Sequence, residues 1–245
     1  MSDPIRFELH TVDCVKSTNT ALKSLAKEGA PEGYVLCAAQ QTAGRGRMNR
    51  VFFSPKGTGL YCSILLRPNM PLSPAVLTCM SAVAVFDTIR SFDLPCAIKW
   101  VNDLYLRGKK VCGILVEGSA KPDGTLAYAV CGVGVNLFAP PEGFPEGLKD
   151  KAGAVFDCSP NEELKKAFLK RMLLRFKHYY DQLPALTFSE TYRQNQLCLG
   201  KQVLFSAPDG MLRGTALEID EAFRLLVEFD GKQYALDRGD VILLD

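Results

Sequence analysis

The sequence predicts an α+β fold: a mixed β-sheet with helices, followed by a small five-stranded β-barrel at the C-terminus. Short apolar runs typical of strands alternate irregularly with helical patterns over most of the chain. After Gly200 the pattern changes to five short strands in about 45 residues, separated by turn-forming residues. We therefore predict two domains, residues 1–195 and 196–245.

The first part of the chain is predicted to be strands around one early helix. Strands are expected at 6–12, 34–39 and 60–66, where residues alternate or form apolar runs. Between the first two, Ser17-Thr18-Asn19 provides N-cap chemistry for a helix that ends at Gly29.

A second, buried helix is predicted to begin at Ser73-Pro74, and strands follow at 97–100, 111–117 and 125–137. Ser159-Pro160-Asn161-Glu162 is interpreted as a capping box for a long helix that ends before Pro184. A shorter helix is expected around 188–197, just before the predicted domain boundary.

Composition excludes several function classes. The 29 Lys and Arg residues nearly balance the 27 Asp and Glu residues, so a net charge of +2 argues against a dedicated nucleic-acid binder. Neither a leader segment nor a long apolar stretch is evident, which predicts a cytoplasmic protein without a membrane partner. Nine cysteines without a C-x-x-C pair and two distant histidines argue against disulfides, zinc and a Ser-His-Asp mechanism, so most cysteines are expected in the core.

The segment "TAGRGRMNRVFFSPKGTGLY" (residues 42–61) combines glycines with arginines. Glycines allow backbone N–H groups to approach an anion, and guanidinium groups pair with phosphate or carboxylate. The segment lacks the G-x-x-x-x-G-K-[ST] pattern and is not a P-loop. From these residues alone, an anion cradle and an exposed basic loop remain open alternatives.

Two further segments are candidates for a site. In "IKWVNDLYLRGKKVCGILVEG" (98–118), an Asn-Asp pair suited to Mg²⁺ or a ribose lies near lysines that would stabilise phosphoryl charge, although a tight turn explains the same residues. "GVGVNL" (132–137) is not G-x-G-x-x-G, so its two glycines indicate close packing or close approach of a ligand.

The order of these segments resembles that of the biotin protein ligases. The family pattern is Ser-Thr-Asn, then Q-x-A-G-R-G-R-x-G-R-x-W, K-W-P-N-D-L, K-x-x-G-I-L-x-E and G-x-G-x-N, followed by a small barrel. This chain has Ser17-Thr18-Asn19, "QTAGRGRMNRVF", "KWVNDL", "KVCGILVE" and "GVGVN" in that order. The resemblance spans essentially the whole chain.

The resemblance implies a catalytic domain similar to class II aminoacyl-tRNA synthetases. It also implies an ATP- and Mg²⁺-dependent enzyme that converts biotin to biotinyl-5′-AMP and transfers it to a lysine of a biotin carboxyl carrier protein domain. Without a helix-turn-helix pattern ahead of the first strand, the chain is expected to be a monofunctional ligase and not a repressor. A homodimer is one open alternative for its assembly.

The resemblance also assigns residues. Lys110 and Arg45 are the expected catalytic residues, and Asp103 is the expected metal ligand. The expected biotin-binding residues are Ser17, Thr18, Asn19, Gln41, Gly44, Arg45, Gly46, Arg47, Lys110, Gly113 and Ile114. The expected nucleotide-binding residues are Arg47, Arg50, Phe52, Lys99, Asn102, Asp103 and Asn136.

Three positions depart from the family pattern: Asn49 replaces a glycine, Phe52 a tryptophan and Val101 a proline. Asn tolerates positive φ better than other non-glycine residues, so we expect the turn at Asn49 to survive. A lipoate ligase or octanoyl transferase, or a non-catalytic biotin-binding relative, is the alternative interpretation.

Overall fold

The computed structural model describes residues 4–207, 210–237, 239 and 241–244. A large sheet contains β1 (Glu8–Val15), β2 (Tyr34–Gln41), β3 (Gly59–Leu66), β4 (Cys96–Lys99), β5 (Asp103–Leu106), β6 (Lys109–Ala120) and β7 (Leu126–Asn136). The helices are α1 (Thr18–Lys27), α2 (Pro74–Arg90), α3 (Glu162–Asp181) and α4 (Ser189–Gln194). A second sheet contains β8 (Gln202–Ala207), β9 (Gly210–Ile219), β10 (Leu225–Phe229), β11 (Lys232–Leu236) and β12 (Val241–Leu243).

The large sheet is mixed, as predicted. Its strand order is β1-β2-β3-β7-β6-β5-β4, with β1 parallel to β2 and the other neighbours antiparallel. The five predicted C-terminal strands pair as an antiparallel sheet in the order β11-β10-β9-β8-β12. Of the turns predicted between them, residues 208, 209 and 238 lie outside the described residues.

Two local predictions differ from the structure. The cap of α3 is Asn161, whose side chain accepts from the Leu164 N–H at 2.9 Å, so Ser159 does not begin a capping box. A capping box needs a Glu or Gln at the third helical position, and with Asn161 as the cap Glu162 is the first. The four-residue strand β5 was not predicted because it is too short to show a period and follows a turn-forming Asn-Asp pair.

The main hydrophobic core lies on one face of the large sheet, beneath α2 and α3. Helix α2 is buried nearly all round, in agreement with its apolar sequence. On the opposite face, α1 packs a smaller cluster through Leu22 and Ala26 against Leu36, Leu65 and Val130. This helix contacts β2, β3 and β7. The part of the same face near β5 and β6 is not covered by α1.

Phe223 at the β9–β10 turn contacts the β4–β5 turn and the residue that precedes α4. Trp100 Nε1 donates to the Phe223 carbonyl at 3.0 Å, and the Phe188 ring stacks on Phe223 with centroids 5.5 Å apart. One hydrophobic cluster contains residues of both sheets. The division into two domains stays a prediction.

Cysteine placement follows the expectation. Six of the nine cysteines are buried, Cys96 is half-buried, and Cys14 and Cys158 are exposed. No helix among the described residues is both long and apolar enough to cross a membrane.

Candidate active site

A cavity of about 600 Å³ lies on the α1 side of the large sheet. Glycines form part of its floor. A Cβ added to Gly134 would lie 2.7 Å from the Phe52 ring, and one added to Gly132 would lie 2.1 Å from Asn19 Oδ1. The two glycines of "GVGVNL" therefore serve close packing, because side chains fill the space above them from α1 and from the Gly-Arg loop, residues 42–58 between β2 and β3.

The Ser-Thr-Asn segment is buried at the start of α1. Ser17 caps the helix by accepting from the Thr20 N–H at 3.4 Å, as predicted. Gln41 Oε1 accepts from the Thr18 backbone N–H at 2.9 Å and from the Thr18 hydroxyl at 3.1 Å. These bonds fix the helix start against the end of β2.

Asn19 spans several strands with its side-chain amide. Its Nδ2 donates to the Leu115 carbonyl at 3.1 Å and to Glu117 Oε2 at 3.0 Å, while its Oδ1 accepts from the Ser63 hydroxyl at 2.6 Å. Both amide N–H donors are therefore used within the protein. The Asn19 side chain therefore holds α1 against the strands, and its amide has no N–H left to donate to a ligand.

Sequence reasoning missed the importance of Ser63 and Glu117. Ser63 is a polar residue within the apolar strand "GLYCSILL", which is the signal that would have found it. Glu117 ends the "GILVE" motif, and Lys23 Nζ lies 2.6 Å from its Oε1. Burial opposes ionisation of Glu117, but hydrogen bonds and charge from Lys23, Asn19 and Arg45 outweigh it and lower the pKa of the carboxyl.

The Gly-Arg loop has a defined backbone. The Ala43 N–H donates to the Lys16 carbonyl at 2.8 Å, and the Phe52 N–H donates to the Gly44 carbonyl at 2.9 Å. A Cβ at Gly44 would come 2.3 Å from the Phe52 carbonyl oxygen, which explains the glycine. Asn49 has φ 59°, as expected, and Met48 is also left-handed with φ 54°.

The arginines of the loop hold it to different elements. Arg45 Nη1 lies 3.1 Å from Glu117 Oε1 on β6. Arg47 donates to Asn102 Oδ1 at 2.9 Å and to the Gly239 carbonyl at 3.2 Å. The loop thus connects the large sheet with the C-terminal part of the chain.

Lys110 and Asp103 meet at the centre of the cavity. Lys110 Nζ lies 2.6 Å from Asp103 Oδ2, and Asp103 Oδ1 is buried without a hydrogen-bond partner among the described residues. Neighbouring Asn102 donates from Nδ2 to the Ile114 carbonyl at 2.8 Å, which ties the β4–β5 turn to β6. The Trp100–Val101 peptide bond in this turn is cis.

The cavity lining is strongly cationic. Among its described lining residues, Asp103 is the one carboxylate, against six cations: Arg45, Arg47, Arg50, Lys99, Lys110 and Lys151. Positive charge in a partly enclosed space favours an acidic ligand. The anion cradle is therefore the better interpretation of the Gly-Arg loop.

All predicted site residues except Gly44 and Asn136 line this cavity. Gly44 supports the loop through the close approach of Phe52. Asn136 lies at the end of β7, where its Nδ2 donates to the Gly153 carbonyl at 3.1 Å, and its role in nucleotide binding stays a prediction. Its side chain is occupied in holding the following loop.

Other lining residues have no local sequence signal. Lys151 and Leu148 come from the loop after β7, and Val241 and Ile242 come from β12. Burial, followed by the negative charge of Asp103, raises the pKa of Tyr105, a further lining residue. These residues reach the site only through the tertiary fold.

A mixed sheet with a cationic cavity is suited to an acidic small molecule, and this cavity also contains a lysine paired with a carboxylate. The chain belongs to the biotin/lipoate A/B protein ligase family, whose model matches residues 11–136. It is therefore an enzyme of the ligase class.

Individual relatives agree with this assignment. The chain is 36% identical over 224 residues to the bifunctional ligase/repressor BirA of Bacillus subtilis, covering 88% of this chain and 68% of the relative. It is 29% identical over 245 residues to the biotin–[acetyl-CoA-carboxylase] ligase of Mycobacterium tuberculosis, covering 97% and 89%.

A solved structure extends the likeness to the fold. The biotin protein ligase from Aquifex aeolicus in complex with biotin and ATP superposes with a TM-score of 0.77 at 26% identity, covering 97% of this chain and 98% of that one. The predicted fold class and the resemblance to the biotin protein ligases are confirmed.

Proposed function

We propose that this protein ligates biotin to a carrier protein in two half-reactions. A biotin carboxylate oxygen attacks the α-phosphorus of ATP to give biotinyl-5′-AMP and pyrophosphate. A lysine amine of a biotin carboxyl carrier domain then attacks the acyl carbon, and AMP leaves. The observation that carries the proposal is Lys110 beside Asp103 within a cavity ringed by cations.

Lys110 is the proposed main catalytic residue of the first half-reaction. Two anionic groups, a carboxylate and a phosphate, must approach each other before the new P–O bond forms. A fixed ammonium between them offsets their repulsion and stabilises charge that develops on the α-phosphate. The Lys110 side chain lines the cavity and is about one-third exposed, which supports its access to both groups.

Arg45 and Arg47 are proposed to hold the acyl-adenylate from the loop side. Both line the cavity, and guanidinium groups bind phosphate through paired donors. The same loop places the Phe52 ring directly above Gly134. With ligand bound, the loop is proposed to limit access of water to the mixed anhydride.

The biotin ring is proposed to lie toward α1 and the nucleotide toward the β4–β5 turn. Ser17, Thr18, Gln41 and Phe52 line the first end. At the second end, Lys99 and Arg50 supply positive charge for the phosphates.

The residues present also fit Mg²⁺. Asp103 Oδ1 has no hydrogen-bond partner among the described residues, and Mg²⁺ is commonly held by one or two carboxylates together with substrate phosphates. Asp103 would hold the ion, which supplies charge neutralisation for the phosphates when it is bound. Asn102 is less suited, because its Oδ1 already accepts from Arg47.

Assembly as a homodimer and a cytoplasmic location stay predictions.

Biotin-dependent exchange of labelled pyrophosphate into ATP tests the first half-reaction. We expect exchange with biotin and none with lipoate or octanoate; exchange with lipoate alone would favour the alternative ligase. Lys110→Ala should lower the exchange rate by about 10²–10³-fold, the usual effect of losing one electrostatic contact to a transition state.

Lys109→Ala is the matched control. Lys109 is adjacent on β6 but exposed, and its Nζ donates to the Lys149 carbonyl at 3.0 Å, outside the cavity. Its variant should keep the wild-type exchange rate. Wild-type exchange by Lys110→Ala, or no exchange by the wild-type enzyme at saturating biotin, would contradict the proposal.

A further inference from the structure

Glu117 connects α1 with the Gly-Arg loop through one shared carboxylate. Lys23 Nζ lies 2.6 Å from Oε1, Asn19 donates to Oε2 at 3.0 Å, and Arg45 Nη1 lies 3.1 Å from Oε1. The Glu117 side chain is only 20% exposed, whereas that of Arg45 is 38% exposed. Arg45 lines the cavity, and Glu117 is not among its lining residues.

We infer that Glu117 is a holding site for Arg45 in the ligand-free enzyme, and that Lys23 sets how readily Arg45 leaves it for the ligand. Glu117 and Lys23 are thus positioning residues that act through Arg45. The inference rests on the proposed function in one respect, namely that Arg45 binds the acyl-adenylate.

The charges explain why Arg45 is able to leave. A mostly buried carboxylate is costly without a partner. When Arg45 turns toward the cavity, Glu117 keeps the Lys23 ammonium and the Asn19 amide, so its charge stays paired. Without Lys23, departure of Arg45 would leave Glu117 with the Asn19 amide among its three described side-chain partners, and Arg45 would be held more strongly.

The loop backbone need not move for this exchange. Residues on both sides of Arg45 are fixed, since the Ala43 N–H donates to the Lys16 carbonyl and the Gly46 N–H donates to the Arg50 carbonyl at 2.7 Å. Arg45 also forms a backbone bridge with Val51. Rotation of the long arginine side chain about a fixed Cα therefore accounts for the two positions.

Two substitutions should act in opposite directions. Glu117→Gln removes the charge that holds Arg45 but keeps an acceptor for Asn19. Lys23→Met removes the competing ammonium but keeps an aliphatic stem. Lys23→Arg keeps the ammonium's charge and serves as the conservative control.

The first readout uses no ligand. Phenylglyoxal modification of Arg45 is followed by mass spectrometry and normalised to the exposed Arg107. Glu117→Gln should raise the modification rate by about two- to five-fold and Lys23→Met should lower it by a similar factor, the range expected for a partly exposed ion pair. Lys23→Arg should match the wild type.

The second readout is the affinity for a sulfamoyl analogue of biotinyl-adenylate, measured by calorimetry. The analogue should bind more tightly to Glu117→Gln and more weakly to Lys23→Met, by about the same factors. Thermal unfolding checks each variant, and if Glu117→Gln fails to fold, the Lys23→Met and Lys23→Arg pair decides the result.

Unchanged Arg45 reactivity in both variants, or a shift in the same direction in both, would overturn the holding site. Opposite shifts in reactivity with wild-type affinity for the analogue would instead refute the role of Arg45 in binding the adenylate. The two failures are therefore distinguishable.

Discussion

Gly132→Ala should be one of the most destabilising small substitutions in this protein. The added methyl group would lie 2.1 Å from Asn19 Oδ1 and 2.8 Å from its Cγ, closer than atoms pack. Asn19 must then move, and its bonds to Ser63, Leu115 and Glu117 are lost together.

The expected cost follows from those three bonds. Each of the two bonds to neutral groups contributes about 1 kcal/mol and the bond to the Glu117 carboxylate about 1.5–3 kcal/mol, so we expect a loss of about 3.5–5 kcal/mol. Urea denaturation followed by circular dichroism would measure this as a lower transition midpoint at unchanged slope.

A double-mutant cycle tests the cause. Asn19→Ala removes the atoms that collide with the new methyl group, so adding Gly132→Ala to Asn19→Ala should cost little more. Gly147→Ala is the control, because a Cβ there meets nothing within 4 Å. A Gly132→Ala variant within about 0.5 kcal/mol of the wild type, or strictly additive effects in the cycle, would refute the reasoning.

Two further predictions concern other parts of the chain. Iodoacetamide at about pH 8 should label Cys14 and Cys158 rapidly and leave Cys79 and Cys131 unmodified, because burial raises the pKa of each of the latter thiols to about 12 and keeps it protonated; rapid alkylation of Cys79 in the folded protein, read by peptide mapping, would contradict this. Trp100→Phe should lower the free energy of unfolding by about 1–3 kcal/mol, since it leaves the buried Phe223 carbonyl without its donor; a wild-type urea midpoint would count against the contact.

Elements with strong local signals were predictable. Ser17 and Ser73 were correctly predicted to cap α1 and α2. Capping is a local interaction, because the side-chain oxygen accepts from a backbone N–H only two or three residues further along the chain. The left-handed conformation of Asn49 was predictable because Asn stands where the family pattern has a glycine and tolerates positive φ. Strand β5 was missed because four residues do not establish a period.

The candidate site was predictable where a motif supplied its own geometry. The Gly-Arg loop, Lys110 and Asp103 do lie together around one cavity. Asn136 shows the limit of this approach. Gly132, Gly134 and Asn136 share one parity on β7, yet the cavity ends before the strand does, and Asn136 meets Gly153 instead.

The sequence by itself determined the family, the mixed α/β character and the cations that favour an acidic ligand. Only the tertiary structure decided which side chains from distant strands meet at and around the site. Ser63, Glu117 and Ile242 come from three strands far apart in the chain, and Glu117 gains its link to Arg45 only because β6 passes beside the loop. The physical reason is that a local pattern specifies backbone conformation over a few residues, whereas strand order and register specify which distant atoms reach hydrogen-bonding distance.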